Sequence, residues 1–190
     1  TKPGYNIQIS TENQFITNYG IYWRHTDQGT LIPFLTTFSD RYGKQSDEVC
    51  ADSGYGSEQN YAHTINNGIV PYVKYNMFHA EERRKYKSNP FLTQNMYYNA
   101  DENYYVCPMG QHIVHISDVK SRSDLGYEST VSKYRAYDCT RCPLRGMCYK
   151  GKANVRTIEV NHQANAYKAE VKRLLTSERG LHHRSNRPIE

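Results

Sequence analysis

Two sets of residues have the chemistry to do more than fold. The first is Asp52 within EVCADSGYGSEQNY, residues 48–61. An apolar run ends at this acid, a glycine-rich turn follows, and a helical pattern begins. A carboxylate at the C-terminal end of a strand and beside a helix N-terminus sits where α/β sheets commonly place their sites. One reading is a loop acid that caps a turn. The other is a catalytic acid that holds a hard cation such as Mg²⁺. The second set is Cys107 in Cys-Pro-Met-Gly, then Cys139-x2-Cys142-Pro and, after five more residues, Cys148. A Cys-x2-Cys turn spaces two sulfurs along one edge of a metal tetrahedron, and two further thiols complete four ligands. The expectation is a structural four-thiolate site, with zinc foremost. An iron–sulfur cluster obeys the same ligand logic, and free thiols in a small core are the plain alternative. A redox Cys-x-x-Cys fits less well, because Pro follows Cys142 and no helix opens there after a βαβ strand. Cys50 stands apart and is expected to be a small buried strand residue.

The chain that must position these groups has 190 residues, enough for one domain or a domain with an insertion. Hydrophobic residues make up 37% and mean hydropathy is −0.85, so aliphatic core material is scarce. Eighteen tyrosines supply rings in its place, each keeping a polar tip. Charge is uneven. Residues 1–78 hold 5 Lys/Arg against 7 Asp/Glu, whereas 79–190 hold 19 against 12. A basic second part suits a polyanion partner, the alternative being a solvated lysine-rich surface. No apolar run approaches a membrane span, and no signal peptide is recognisable. The chain begins at Thr1, which reads as a piece of a longer protein.

Periodicity predicts strands over 5–10 and 15–24, with Tyr5, Ile7 and Ile9 on one face of the first. A helix is expected over 27–43 from Leu31, Phe34, Leu35 and Phe38, stopped at Gly43. A strand ending at Asp52, a helix over 57–68 capped by Ser57, and a strand over 69–76 follow. The order β-β-α-β-α-β implies an α/β domain whose mixed sheet carries helices on its faces. Beyond residue 78 the expected elements are a hairpin turning at 100–103, short strands over 112–117 and from 131, a polar loop over 120–129, and a helix over 161–180. These give three regions: a core over 1–78, a small β-rich basic insertion over 79–155, and a helical return over 156–190.

KPGYNIQISTENQFI (2–16), ADSGYGSEQN (51–60), YVCPMGQ (105–111), CTRCPLRGMC (139–148) and HHRSNRPIE (182–190) occur in that order. With these motifs, the chain resembles a DDE-type insertion-sequence transposase of the kind that carries a Cys-containing insertion. The resemblance implies an RNase H-like fold, truncated at its first strand, in which three acids hold two Mg²⁺ ions. Asp52 matches the second acid, and Glu190 is the candidate third, with Arg184 and Arg187 ahead of it. The first acid would lie on a strand preceding this chain, so the fragment is expected to be inactive alone. The implied reaction is cleavage at element ends and strand transfer to target DNA. Arg83, Arg84, Lys85, Lys87, Lys150, Lys152, Arg184 and Arg187 are the expected phosphate contacts, with Arg156 beside them. Tyr86, Tyr104, Tyr105, Tyr134 and Tyr137 offer faces for bases, although tyrosines alternating along strands more often pack a sheet. The resemblance further implies homo-oligomers on DNA, no membrane, and a bacterial cytoplasmic, nucleoid-associated setting. The competing reading is a non-catalytic zinc-knuckle DNA-binding module or a decayed transposase remnant.

Overall fold

The computed structural model describes residues 4–185. The chain forms two compact units, one of residues 1–78 with 164–190 and one of residues 79–163.

The first unit opens with a hairpin of β1 (Asn6–Glu12) and β2 (Phe15–Tyr22), paired antiparallel. The pattern of alternation is the expected one, but the apolar face is turned outward. Ile7 is 63% exposed, whereas Gln8 on the opposite face is 7% exposed and Asn18 is fully buried. The inner face is polar because it serves hydrogen bonds: Asn18 Nδ2 donates to the Phe34 carbonyl at 3.1 Å. A short 3-10 turn at Asp27–Gly29 leads into α1 (Leu31–Tyr42). Leu31, Phe34 and Leu35 form its buried stripe, and Gly43 ends it with φ 67°, a left-handed position that suits glycine.

β3 (Glu48–Ala51) and β4 (Val70–Val73) pair in parallel, with α2 (Glu58–Asn66) as the crossover between them. The Ser57 hydroxyl caps α2 by accepting from Asn60 N–H at 3.2 Å. The expected element order is thus present, but not one mixed sheet. Among the described residues β1–β2 and β3–β4 are separate two-stranded sheets, because no strand pairs β1 with β3. Cys50, expected inside a core, is exposed. The core gathers Tyr61, Tyr72, Val73, Tyr75 and Phe78 against Val171 and Leu175 of α6 (His162–Thr176). Tyr61 keeps its polar tip satisfied, its hydroxyl donating to the Val73 carbonyl at 3.0 Å. α7 (Glu178–Ser185) follows, so the helix expected to end at 180 is two helices. They meet closely: a Cβ on Gly180 would stand 2.1 Å from the Leu174 carbonyl oxygen.

The second unit begins with the short helices α3 (Phe78–Glu82) and α4 (Arg84–Lys87). Its body is a five-stranded antiparallel sheet in sequential order: β5 (Tyr97–Asn99), β6 (Tyr104–Val106), β7 (His112–Arg122), β8 (Glu128–Ala136) and β9 (Thr157–Val160). The hairpin turn before Tyr104 is as expected, with Asn103 at φ 54°. The polar loop expected over 120–129 is mostly ladder, since β7 and β8 pair out to Arg122 and Glu128. Their backbone bonds need no apolar side chains, and both strands are exposed there. β9 holds the chain in this unit, so the return begins at Ala164 and not near 155. α5 (Arg145–Cys148) lies between β8 and β9. Met96, Tyr105, Ile113, Tyr134, Ala136, Ile158 and Val160 form the core, with Cys107 and Cys139 packed on it. Among the described residues no helix is long and apolar enough to cross a membrane.

Candidate active site and cysteine cavity

Asp52 directly follows β3, and its backbone is extended, so it is the last residue before the chain turns. Its Oδ1 accepts the Gly54 N–H at 2.6 Å, which fixes the carboxylate over the turn Ser53–Tyr55. The capping reading of this acid is therefore true as geometry. It leaves the group exposed at the strand end, where a cation or phosphate can approach.

A second carboxylate stands beside it. A methyl group on Gly54 would lie 3.0 Å from Asp52 Oδ1 and 3.0 Å from Asp27 Oδ2. The two acids thus face each other across the room that one side chain would fill. Asp27 is held there from β1, accepting from Asn6 Nδ2 at 2.8 Å and Gln8 Nε2 at 3.0 Å. Tyr55 senses both acids. Burial, together with the negative charges of Asp27 and Asp52, pushes its hydroxyl up to about 12. Sequence reading missed Asp27. The available signal was the polar alternation Asn6, Gln8 against Tyr5, Ile7, Ile9, which marks an inner face with something polar to hold.

Gly56 has a different role from Gly54. A Cβ there would meet the Lys74 carbonyl oxygen at 2.2 Å and Tyr61 Oη at 2.8 Å, so the turn packs directly on the segment after β4. Asn60, almost fully buried, ties the same region together by donating to the carbonyls of Gln28 at 2.9 Å and Tyr55 at 2.8 Å.

Below the site, Glu48 opens β3. Arg179 of α7 lies 2.6 Å from Glu48 Oε1, and His183 3.1 Å from Oε2. Burial alone would raise the Glu48 carboxyl, but the hydrogen bonds from Arg179 and His183 hold it below its ordinary value. Arg184, an expected DNA contact, packs its guanidinium over Phe78 at 5.0 Å. Arg187 and Glu190 lie outside the described residues. Among the described residues no group of three or more His, Cys, Asp and Glu stands together in metal-holding geometry.

In the second unit, Cys107, Cys139, Cys142 and Cys148 line a single small cavity. No disulfide joins them. Arg156, grouped by sequence with the outward basic residues, is instead turned inward. Its Nη1 donates to Cys148 Sγ at 2.9 Å and its Nη2 to the Phe91 carbonyl at 2.8 Å. Arg83, Arg84, Lys85, Lys87, Lys150 and Lys152 are exposed. Most of the tyrosines expected to offer ring faces are occupied. Tyr105 and Tyr134 are buried against each other with ring centres 5.0 Å apart, and Tyr104 stacks on His112 at 3.9 Å. Tyr137 is open to solvent, 89% exposed.

Residues 106–190 match the family described as transposase DDE domain. That match bears out the resemblance to DDE-type transposases carried by the motifs. It covers the cysteine motifs and the C-terminal helices, and Asp52 lies outside it. No curated protein and no solved structure matches the chain.

Proposed function

We propose, from the match to the transposase DDE domain, that this chain is part of a DNA transposase and that Asp52 is one of its catalytic acids. The reaction is divalent-metal-dependent cleavage at element ends followed by joining of the 3′ ends to target DNA. The observation that carries the reading is the carboxylate pair. Asp52 ends a strand, is exposed, and has Asp27 across Gly54. Paired carboxylates suit a hard cation, and Mg²⁺ is the ion expected in a phosphoryl-transfer site. Asp52 would hold it, with Asp27 beside it and Glu190 as the candidate third acid.

A bound divalent cation supplies charge stabilisation on the phosphate and a more reactive attacking oxygen. The protein's own part is positioning. Gly54 N–H orients the Asp52 carboxylate, and Asn6 and Gln8 orient Asp27 without neutralising it. Both side chains are thereby set before substrate arrives, which is how a rigid scaffold reduces the cost of organising a reaction. DNA is the proposed partner. Arg83, Arg84, Lys85, Lys87, Lys150 and Lys152 are proposed to neutralise its phosphates, Arg184 and Arg187 to flank the third acid, and assembly on DNA to be homo-oligomeric. The proposed fold of the first unit is RNase H-like, a further strand between β1 and β3 joining the two pairs into one mixed sheet.

The test is strand cleavage of labelled element-end DNA in Mg²⁺ or Mn²⁺ by the complete open reading frame. Asp52→Asn is expected to lower the rate by about 10²-fold or more, the scale of losing a charged catalytic group. Cleavage that survives the substitution unchanged would remove Asp52 from the mechanism and favour a binding module without catalysis.

A further inference from the structure

The cysteine cavity has a chemistry that the proposed reaction does not use. We propose that Cys107, Cys139, Cys142 and Cys148 bind one zinc ion as four thiolates, and that Arg156 is the positioning residue outside that sphere. The proposal is independent of the role of Asp52.

Three segments bring these residues to one place. Cys107 follows β6, Cys139 and Cys142 lie in the loop after β8, and Cys148 ends α5. Each is fixed by backbone hydrogen bonds. Cys107 N–H donates to the Gln111 carbonyl at 2.9 Å while its own carbonyl accepts from Gly110 at 2.8 Å. Gly110 has φ 77°, a conformation that closes the turn and that other residues rarely adopt. Cys139 N–H donates to the Asn154 carbonyl at 3.0 Å, and Cys148 N–H to the Leu144 carbonyl at 2.9 Å. Arg145 ties the following loop to the same place, donating to the carbonyls of Cys139 at 3.2 Å and Ala153 at 2.6 Å. The knuckle is thus organised by main-chain bonds.

The cavity decides the class of ligand. Its volume is ≈ 30 Å³, room for an ion or a water but not for an organic molecule. Its other walls are largely apolar, including Ile113 and Leu144, so they offer no oxygen donors for a hard cation. Sulfur donors select zinc over magnesium or calcium. The four side chains line this space, no three of them stand in metal-holding geometry as placed, and the proposal requires that binding draw the sulfurs together.

Charge provides the second argument. Four thiolates on Zn²⁺ carry a net charge of −2, which an apolar wall penalises. The Arg156 guanidinium already donates to Cys148 Sγ and is held by the Phe91 carbonyl. A fixed cation beside a sulfur partly offsets that charge.

The experiment is metal analysis of the purified chain by native mass spectrometry, followed by replacement of zinc with Co²⁺. One zinc per chain is expected, and the cobalt form should show the tetrahedral d–d bands and strong sulfur-to-cobalt charge transfer of a four-thiolate site. Cys142→Ser should weaken the charge transfer and Cys50→Ser should leave it unchanged. Arg156→Met should weaken zinc binding about 10–100-fold, with partial recovery in Arg156→Lys. If Cys142→Ser does not fold, the cobalt titration of the unaltered chain still decides. A folded chain that takes up no zinc, that carries iron, or whose mass shows disulfides at these cysteines overturns the proposal.

Discussion

At Asp52 the capping reading and the catalytic reading describe the same geometry. The Gly54 N–H that satisfies one carboxylate oxygen also aims the group, and Asp27 borders the same space beside Gly54. This makes Gly54 the most informative position in the turn. A Cβ there would press on both carboxylates at 3.0 Å. Gly54→Ala is expected to keep the fold, since only side-chain ends must yield, and to weaken Mn²⁺ binding measured by electron paramagnetic resonance. Gly56→Ala should do the reverse. Its Cβ would strike the Lys74 carbonyl oxygen at 2.2 Å, so overpacking should destabilise the first unit by about 1–3 kcal/mol in chemical denaturation. The strand end at Asp52 was legible in the sequence from the strand-then-glycine pattern. Asp27 was not, because its partners Asn6 and Gln8 are far from it along the chain and become neighbours only when the hairpin folds over the 3-10 turn.

Among the elements, α7 is joined to β3 by ionic contacts. Arg179 and His183 both reach Glu48, and His183 also packs on the Tyr72 ring at 4.6 Å. The Glu48 carboxyl is held below its ordinary value of 4.5. A carboxylate whose folded pKa is depressed gives its stabilisation above its unfolded pKa and loses it as pH falls through the folded value. Amide exchange in α7 should therefore accelerate, relative to α1, as pH drops below 4.5, and Glu48→Gln should flatten that difference. Helices α1 and α2 could be read from sequence because cap, stripe and stop agree: Gly43 ends the first, and Ser57 begins the second. β9 and the outer half of the β7–β8 hairpin could not. The outer hairpin carries mainly Lys, Arg, Ser, Thr and Glu, and its pairing is set by ladder bonds to neighbours, whereas β9, Thr-Ile-Glu-Val, alternates and buries Ile158 and Val160 but is only four residues long. The outward apolar face of β1–β2 was likewise invisible, because alternation tells which residues share a face and not which face is covered.

Over the whole molecule, charge is unevenly spread. The first unit holds the carboxylates, and residues 79–163 hold the exposed Arg83, Arg84, Lys85, Lys87, Lys150 and Lys152. Replacing Arg83, Arg84 and Lys85 by Gln should weaken DNA binding by similar factors for different sequences. The salt dependence should become shallower by about one unit of slope per lost phosphate contact, measured by fluorescence anisotropy across salt concentrations. The cysteine knuckle of the second unit is held largely by main-chain bonds, so the order of the strands that lead into it is expected to depend on the cysteine site. Chelation of zinc should increase hydrogen exchange in β6 and β8 while leaving α1 and α2 protected.

The central claim is that Asp52 touches the metal that drives DNA cleavage, and a change of ligand softness tests it most directly. Asp52→Cys should be inactive with Mg²⁺, because a thiolate is a poor partner for so hard a cation, and should regain strand cleavage with Mn²⁺. Rescue by Mn²⁺ in Asp52→Cys but not in Asp52→Ala is the predicted result. Equal activity of the Cys and Ala variants in both metals would contradict direct ligation and, with it, the catalytic reading of this strand end.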